Sequence, residues 1–512
     1  MANEVRPEAS QWLADHTRDV PPVFLEEEVP GEVLKALDRA AMVSRVPGGV
    51  VAIHSPTDDP EGVRKALFWP IVQRVAARYA PALVERDSAV RLYIGQTTPA
   101  SEVRIRHAGL SRWRREVLPG VSIRLEHGPV EQLGYVDVGE AHVPVETPDR
   151  LLLTLPLNFL RDRERLGDLL IWLKSLVLSK QAITTAYRES PRPVVLKRIA
   201  DLARDVGNDR LANLLDEAIA AEQSVRIGRD RTGVGTTFVV PSTLARLRST
   251  RSPWLDRLRL AVRESAARTE SVFADVASRE ARHDMAGLLD IARASKAYDA
   301  YHSSSIEGYR LRLDEVSAYL SGASTGPTIE DLESRLAIVG YSAAFDALLT
   351  RVDDHDGRVP LTPSLALDLY ADLFTPSVEA GLVEPDALRR FRNGPVFIRD
   401  TLYTPPNADK VAGMLDLLFE EIDRIPAENG YLRATLAHLW FVWIHPFSDG
   451  NGRVARFLMN AALLGSGRSW LTIRVDQRGE YFAALRLAQL DEDFLPFARF
   501  VRASVEGESV TP

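Results

Sequence analysis

Cysteine is absent from the 512-residue sequence, and long apolar runs are scarce. Without cysteine the chain has no disulfide scaffold, no cysteine nucleophile, no thiolate zinc site and no cysteine-held iron–sulfur cluster. The longest mostly apolar run, residues 151–160, leads directly into Arg161 and has about half the length that a membrane-spanning helix needs. Metal sites built from histidine and carboxylate side chains remain open.

The first residues also lack the basic segment and following apolar segment that mark a secretory signal. We therefore expect a soluble, cytoplasmic protein that makes no membrane contact. The 63 Lys and Arg residues against 71 Asp and Glu residues give a net charge of −8. This balance excludes a uniformly basic coat for nucleic acid but leaves room for a local basic face. The length predicts several domains, at about 150 residues each.

The N-terminal half mixes helix and strand patterns, so we predict an α/β domain over residues 1–230. A helix over Gly31–Met42 is followed by strands at 44–46 and 50–53 around the turn Pro47-Gly48-Gly49. This order suits the last helix and the wing of a winged helix. Further strands are predicted at 89–94, 102–106 and 121–126, and helices at 166–179 and 193–220.

A basic cluster follows in the same half: Arg104, Arg106, Arg112, Arg114, Arg115 and Arg124, with Trp113 among them. Such a face could contact the DNA backbone, or it could be an ordinary solvated surface. The layout of Arg45 to Ile53, followed later by Thr147-Pro148-Asp149-Arg150-Leu151-Leu152-Leu153, resembles antitoxin-like regulators of the AbiEi type. That resemblance implies a winged helix joined to an α/β domain.

The pattern becomes almost wholly helical after glycines and paired threonines interrupt it over residues 227–242. Ser252-Pro253 is a predicted helix start, with serine at the N-cap and proline in the first turn. We therefore predict a helical connector over residues 231–295 and a second, all-helical domain over residues 296–506.

The segment His445-Pro446-Phe447-Ser448-Asp449-Gly450-Asn451-Gly452-Arg453-Val454-Ala455-Arg456 carries the chemistry. An apolar helix over 431–444 should end at His445, because proline disfavours helical backbone in the residue before it. The helix C-terminus should favour the imidazolium form and slightly raise the basicity of this ring.

A second helix should start near Arg453, and glycines that lead into a helix N-terminus form an anion nest. A lone carboxylate beside such a nest, here Asp449, usually reaches phosphate through Mg²⁺. Arg453 and Arg456 lie three residues apart, on one side of the new helix. Nucleotidyl transfer needs backbone N–H and guanidinium groups that hold phosphate, a metal ion and a general base, and this segment offers all of these.

This segment resembles the Fic family signature H-x-F-x-[D/E]-G-N-G-R-x-x-R and matches every fixed position. The family is all-helical and mostly transfers AMP from ATP to a hydroxyl side chain of a protein. The Doc branch, which phosphorylates instead, usually alters the G-N-G-R stretch that is retained here. The resemblance implies that His445 is the general base, that Phe447 anchors the core and that Asp449 binds Mg²⁺. It places the phosphates of ATP on Gly450, Asn451, Gly452, Arg453 and Arg456.

Two further segments extend the resemblance. Val396, Phe397 and Ile398 lie in a stretch, residues 394–406, that resembles the β-hairpin flap on which the family aligns its target chain by strand addition. A glycine common just upstream of the flap is replaced by Arg389-Arg390-Phe391-Arg392. Residues 478–485 resemble the closing helix, so Tyr481 is predicted to contact the nucleotide.

Ser303 to Gly308 fits the Fic inhibitory motif [S/T]-x-x-x-E-[G/N], which precedes the core in one subclass. The resemblance implies that Glu307 pairs with Arg456 and places a carboxylate where the γ-phosphate of ATP should go. Ser303 and Gly308 would complete that inhibitory motif.

The sequence therefore predicts a self-inhibited protein adenylyltransferase that uses ATP and Mg²⁺ and modifies a Ser, Thr or Tyr hydroxyl of a target protein or of itself. Two alternatives stay open. The same site could remove AMP with the help of Glu307, or the chain could be a DNA-binding regulator with a Fic sensor or toxin core. A homodimer is compatible with either activity.

Overall fold

A computed structural model describes residues 7–17, 22–56, 58–156, 163–223, 252–274, 284–322, 331–357, 359–394, 396, 398 and 401–508. The chain forms two compact units. The N-terminal unit comprises residues 1–260 with 396–407, and the C-terminal unit comprises residues 261–395 with 408–512. Within the described residues, none of the helices combines the length and apolar composition needed to cross a membrane.

The N-terminal unit begins with two helices and three strands: α1 (Pro7–His16), β1 (Val23–Leu25), α2 (Gly31–Arg39), β2 (Val43–Val46) and β3 (Val50–Ile53). The strands form an antiparallel sheet in the order β1-β3-β2. Gly48 and Gly49 have φ of 95° and 72°, a conformation that glycine adopts readily, which explains the predicted turn between β2 and β3. The winged-helix interpretation itself stays a prediction.

A mixed six-stranded sheet forms the centre of this unit, in the order β6-β7-β5-β4-β9-β8. Its strands are β4 (Ala82–Val84), β5 (Glu102–His107), β6 (Trp113–Leu118), β7 (Val121–His127), β8 (Leu133–Val138) and β9 (Ala141–Glu146). The predicted strands at 102–106 and 121–126 are therefore confirmed. Alternation of buried and part-buried residues along β5 shows why this pattern was detectable in the sequence.

The other helices of this unit are α3 (Pro60–Ala66), α4 (Phe68–Arg78), α5 (Arg86–Tyr93), α6 (Pro148–Thr154), α7 (Arg163–Ser175), α8 (Lys180–Glu189), α9 (Pro193–Asp205) and α10 (Asp209–Gln223). The strand predicted at 89–94 is wrong, because those residues belong mostly to α5. The single helix predicted at 193–220 is also wrong. Gly207 with φ of 81° ends α9, and Asn208 starts α10 by accepting a hydrogen bond from the Leu211 N–H at 3.1 Å.

The predicted basic face is largely neutralised within its own sheet. Arg104 and Arg114 each lie within 3.0 Å of Glu102. Arg124 lies 2.6 Å from Glu126, and Arg106 pairs with Glu146. Four of the six arginines therefore have a carboxylate partner, so the described residues show no purely basic surface there.

The C-terminal unit is helical throughout its described part. Its helices are α12 (Met285–Ile306), α13 (Leu313–Leu320), α14 (Leu332–Asp354), α15 (Pro363–Glu379), α16 (Ala408–Asp423), α17 (Gly430–Ile444), α18 (Asn451–Leu464), α19 (Arg478–Asp491) and α20 (Leu495–Glu508). One more helix, α11 (Pro253–Thr269), contains the division between the units, which falls after Leu260. The boundary predicted at 227–242 lies outside the described residues.

Helices α17 and α18 form the apolar centre of the C-terminal unit. Every residue of α17 except Arg433 is buried, and every residue of α18 except Gly452 is buried. Only a loop of six residues, 445–450, separates the two helices. Because both helices are held on all sides, the loop between them has fixed ends, which suits a site that needs accurate geometry.

Candidate active site

The loop between α17 and α18 carries the predicted general base. His445 caps α17 with φ of 54° and ψ of 61°, in the left-handed region. Pro446 explains why the helix stops here, as the sequence predicted. Left-handed backbone costs a residue other than glycine about 1–2 kcal/mol. The surroundings of His445 must therefore hold the backbone in place.

Arg392 holds the backbone of His445 in place. Its Nε donates to the His445 carbonyl at 2.8 Å, and its backbone N–H donates to the Pro446 carbonyl at 2.9 Å. A third hydrogen bond, from Arg392 Nη1 to the Gly394 carbonyl at 3.0 Å, ties the guanidinium to its own segment. Sequence reasoning missed this residue and noted the arginines at 389–392 only as a departure from the family.

The His445 ring is oriented through Nδ1, which lies 3.3 Å from the Val442 carbonyl. When Nδ1 carries the proton of the neutral ring, Nε2 holds the free electron pair that a general base requires. Burial, with a smaller contribution from the Arg392 guanidinium, lowers the pKa of His445 from 6.5 to about 4. The predicted rise in basicity from the helix C-terminus is therefore wrong, since desolvation outweighs the helix dipole.

The lowered pKa of His445 predicts how the reaction rate depends on pH. A base must be neutral to accept a proton, and a group with a pKa of about 4 is neutral throughout the range above pH 5. We expect turnover to be independent of His445 protonation between about pH 5.5 and 8. A pH–rate profile measured at saturating ATP checks this. An inflection near the ordinary histidine value of 6.5 would show that the ring is not desolvated in the working protein.

The predicted anion nest opens α18. Gly450 is the N-cap residue with φ of 76°, and a Cβ there would lie 2.6 Å from a ring carbon of Phe374. The Asn451 side chain does not point to the nest. Its Oδ1 accepts from the Phe447 N–H and its Nδ2 donates to the Phe447 carbonyl, both at 2.9 Å. Asn451 therefore fixes the loop, and the anion nest on the backbone of residues 450–452 stays a prediction.

Glu307 lies against this nest. A Cβ on Gly452 would lie 2.2 Å from Glu307 Oε1, so the carboxylate occupies the space directly beside the glycine backbone. Glu307 itself caps α12, and Gly308 follows with φ of 105°, a conformation that favours glycine. The glutamate is thus held at the end of a 22-residue helix.

The Arg456 guanidinium makes four hydrogen bonds. Nε donates to Ser303 Oγ at 2.7 Å, and Nη2 donates to the Ser303 carbonyl at 2.9 Å and to Glu307 Oε1 at 2.7 Å. Nη1 donates to the Tyr481 hydroxyl at 3.3 Å. Arg456 is 3% exposed and Glu307 is 23% exposed. The predicted ion pair between them is formed, whereas its inhibitory role stays a proposal.

Comparison with known proteins identifies the segment that contains His445, Gly452 and Arg456. Residues 360–463 match the sequence profile described as the Fic/DOC family. This part of the chain is a Fic domain. Protein adenylyltransferase fic-1 of Caenorhabditis briggsae is 29% identical over 206 residues, which cover 39% of this chain and 38% of that protein.

Protein adenylyltransferase Fic of Nematostella vectensis is 31% identical over 230 residues, covering 43% of this chain and 50% of that protein. The chain therefore spans half or less of the length of these two curated relatives. A solved structure of Fic-1 from C. elegans aligns over 67% of this chain and 96% of its own, with 20% identity and a TM-score of 0.36.

Within the Fic domain, Arg453 is buried between two rings. Its guanidinium carbon lies 5.2 Å from the Tyr309 ring centre and 4.9 Å from that of Phe374. Arg453 Nη2 also donates to Asp449 Oδ2 at 3.4 Å. These contacts fix Arg453 at the first turn of α18, where its positive charge adds to that of the nest.

Asp449 is the predicted magnesium ligand. Its side chain is 62% exposed, and its Oδ1 accepts from the Gly450 N–H at 2.6 Å. No group of three or more metal-ligating side chains occurs among the described residues. One exposed carboxylate beside an anion nest still fits Mg²⁺, because this ion is commonly bound through one or two carboxylates together with substrate phosphates.

Tyr481 lies beneath Arg456 and is only 1% exposed. Its hydroxyl joins Arg456 to His438 Nε2, which lies 3.0 Å away. Burial raises the pKa of Tyr481 to about 12 and lowers the pKa of His438 well below its ordinary range. Both groups therefore stay neutral. In this structure Tyr481 supports Arg456, and its predicted contact with the nucleotide remains a prediction.

The predicted flap is only partly described. Val396 and Ile398 are half-buried, whereas Phe397 lies outside the described residues. None of the described residues between 391 and 407 lies in a strand. A preformed β-hairpin, predicted from the resemblance, is therefore not seen in the described part. The segment 396–407 belongs to the N-terminal unit.

Proposed function

We propose that this chain transfers AMP from ATP to a hydroxyl side chain of a protein. The observation that carries the proposal is the loop from His445 to Gly452 inside a Fic domain. There, a desolvated histidine whose Nδ1 lies 3.3 Å from the Val442 carbonyl precedes the glycine that caps α18. The curated relatives, whose names describe protein adenylyltransferases, support the same chemistry.

The Gly450 N–H already donates to Asp449 Oδ1. The N–H groups of residues 451 and 452, with Arg453 and Arg456, would therefore hold the phosphates of ATP. Asp449 would hold Mg²⁺, which neutralises phosphate charge when bound. His445 Nε2 accepts the proton of the Ser, Thr or Tyr hydroxyl of the target. The hydroxyl oxygen forms a bond to the α-phosphorus, the bond between the α-phosphorus and the bridging oxygen breaks, and pyrophosphate leaves.

Glu307 would restrain this reaction. Its carboxylate lies against Gly452 and pairs with Arg456, so it occupies both the space and the cation that the terminal phosphate needs. Two anions cannot share this site without strong repulsion. ATP must therefore bind in an unproductive position or displace Glu307.

The position of the label on ATP tests the reaction. We expect label at the α-phosphate to appear on protein with release of pyrophosphate, and label at the γ-phosphate to stay off the protein. Asp449→Asn should lower transfer about a hundredfold or more, because charge stabilisation by a metal contributes several kcal/mol. Asp409→Asn is the matched control, since Asp409 is 64% exposed in the first turn of α16.

Two outcomes would contradict the proposal. Transfer of the γ-label would indicate phosphorylation. A lack of any α-label on protein, in both the wild type and the Glu307→Gly variant, would exclude AMP transfer to the proteins tested.

Removal of AMP is the second candidate for the same site. It is favoured by the position of the Glu307 carboxylate, beside the nest and 2.7 Å from Arg456, where a carboxylate can orient an attacking water molecule. In this case an AMP-modified protein should lose the mass of AMP on incubation with the wild type and keep it with Glu307→Gly. Mass spectrometry of the modified protein distinguishes the two directions.

A further inference from the structure

The Arg456 guanidinium is held from two directions. Ser303 and Glu307, which accept three of its four hydrogen bonds, belong to α12 and to the C-cap of that helix. The fourth hydrogen bond, from Arg456 Nη1, goes to the Tyr481 hydroxyl on α19. When Glu307 withdraws together with the end of α12, Tyr481 is therefore the partner that does not depend on this helix.

The direction of the Tyr481 hydroxyl proton can be deduced from its neighbours. A guanidinium only donates, so the phenol oxygen accepts from Arg456. His438 Nε2, 3.0 Å away, is the other hydrogen-bond partner of this hydroxyl among the described residues. The phenol proton has an acceptor when Nε2 is unprotonated, whereas a proton on Nε2 would leave the phenol proton without one. The neutral His438 ring therefore carries its own proton on Nδ1.

This arrangement leaves His438 Nδ1 buried without a hydrogen-bond partner in the described part of the chain. The side chain is fully buried, and a buried donor without a partner destabilises the folded state. A phenylalanine could stack on Phe497, as His438 does at 5.0 Å between ring centres, without this unpaired nitrogen. Burial and the Arg456 charge keep the pKa of His438 well below its ordinary range. Histidine thus adds one thing at this position, an acceptor at Nε2 that persists at neutral pH.

We propose that His438 is a positioning residue that holds Arg456, through Tyr481, in the orientation that receives the terminal phosphate of ATP. This inference rests on the proposed AMP transfer and adds to it a residue that does not touch the nucleotide. The link from His438 to Arg456 runs through the Tyr481 hydroxyl. Without the acceptor at Nε2 this hydroxyl is free to turn, and the guanidinium loses its hold from α19.

The test measures nucleotide binding by the full chain in the Glu307→Gly background, with ATP and ADP as probes in the presence of Mg²⁺. A displaced Arg456 should weaken the binding of ATP and spare ADP, which lacks the terminal phosphate. We expect His438→Phe to raise the Kd of ATP about tenfold and the Kd of ADP less than about twofold. His438→Gln should keep the parental Kd of ATP, because its side-chain oxygen can accept where Nε2 does.

Phe500→Leu is the matched control. The buried Phe500 ring lies 5.8 Å from that of Tyr481, so the change disturbs packing around the tyrosine and leaves the acceptor in place. The ratio of the two Kd values should equal that of the parent, even where the melting temperature falls. The proposal is overturned by an unchanged ratio in His438→Phe, by equal weakening of both nucleotides, or by loss of ATP binding in His438→Gln.

Crystal structures of the variants separate this inference from the proposed activity. In the Glu307→Gly parent, Arg456 Nη1 should stay within hydrogen-bond distance of the Tyr481 hydroxyl. In His438→Phe, and in Tyr481→Phe as the second variant, the guanidinium should be displaced. If the parent transfers no AMP, the proposed function fails, and the position of Arg456 still tests the role of His438. A guanidinium in its parental place in both variants would show that the histidine does not position it.

Discussion

Replacing Glu307 by glycine is expected to raise ATP-dependent AMP incorporation about tenfold to a hundredfold. In the proposed reaction the carboxylate of Glu307 would compete with ATP phosphate, because it pairs with Arg456 and lies beside the backbone of Gly452. A hydrogen bond to a charged group contributes about 1.5–3 kcal/mol, which corresponds to this range of population change. Incorporation of α-labelled ATP into the full chain, measured as an initial rate, gives the result.

Glu492→Gly provides the matched control. Glu492 also caps a helix of the C-terminal unit, α19, and the change removes the same charge. Its rate should equal that of the wild type. Glu307→Gln should give an intermediate rate, because the amide keeps the volume beside Gly452 but loses the charge that pairs with Arg456. An equal rate in the wild type and Glu307→Gly would show that the glutamate does not restrain transfer.

Arg456 should remain in place after this substitution. Three of its four hydrogen bonds go to Ser303 and Tyr481 and do not involve Glu307. The variant therefore frees the side of the guanidinium that faces the nest without leaving the whole charge unpaired. This is why we expect a gain of activity and not a loss of the folded state.

The sequence was most informative where chemistry is encoded locally. Pro446 predicts the end of α17, and the glycines at 450 and 452 predict that a second helix, α18, starts close by. The spacing within residues 303–308, read with the Fic signature, predicts the pair of Glu307 with Arg456. Each prediction depends on neighbouring residues or on a short motif, so no knowledge of the packing was needed.

Contacts between distant segments were not predictable in the same way. Arg392 donates hydrogen bonds to the carbonyls of His445 and Pro446, which lie 53 and 54 positions further along the chain. No periodicity in the sequence marks this arginine. The neutral state of His445 follows from burial by the whole domain. The helix dipole, which is visible in the sequence, gives the wrong sign for its pKa because it is the weaker effect.

The N-terminal half shows a third case, in which short apolar patterns are ambiguous. Residues 89–94 suit a strand by composition but form most of α5, since helix and strand are hard to distinguish in a run of this length. The break between α9 and α10 was visible as Gly207-Asn208, a helix stop followed by a helix start. The hydrogen bonds of Asn407 to Asp137 and Gly139 had no local signal in the sequence, because these partners lie far away along the chain, in the turn after β8.

The second large effect is expected at His445. In the Glu307→Gly background, His445→Ala should lower AMP incorporation about a hundredfold to ten-thousandfold, the usual contribution of a general base. Binding of ATP should change little, because the contacts described for the nest, Arg453 and Arg456 do not involve the imidazole. Rates of incorporation, together with the Kd of ATP from calorimetry, separate a loss of chemistry from a loss of binding.

His355→Ala is the control for the loss of a histidine at a helix end. His355 is exposed at the C-cap of α14, and its Nδ1–H donates to the Arg351 carbonyl at 2.8 Å. This variant should keep the full rate.

The left-handed backbone of His445 raises the concern that alanine disturbs the loop. His445→Asn answers it, because asparagine tolerates this conformation and is no base at neutral pH. If His445→Asn keeps the parental rate, the proton is accepted elsewhere. If both substitutions lose the rate while Kd for ATP is retained, the loss is one of proton transfer at Nε2.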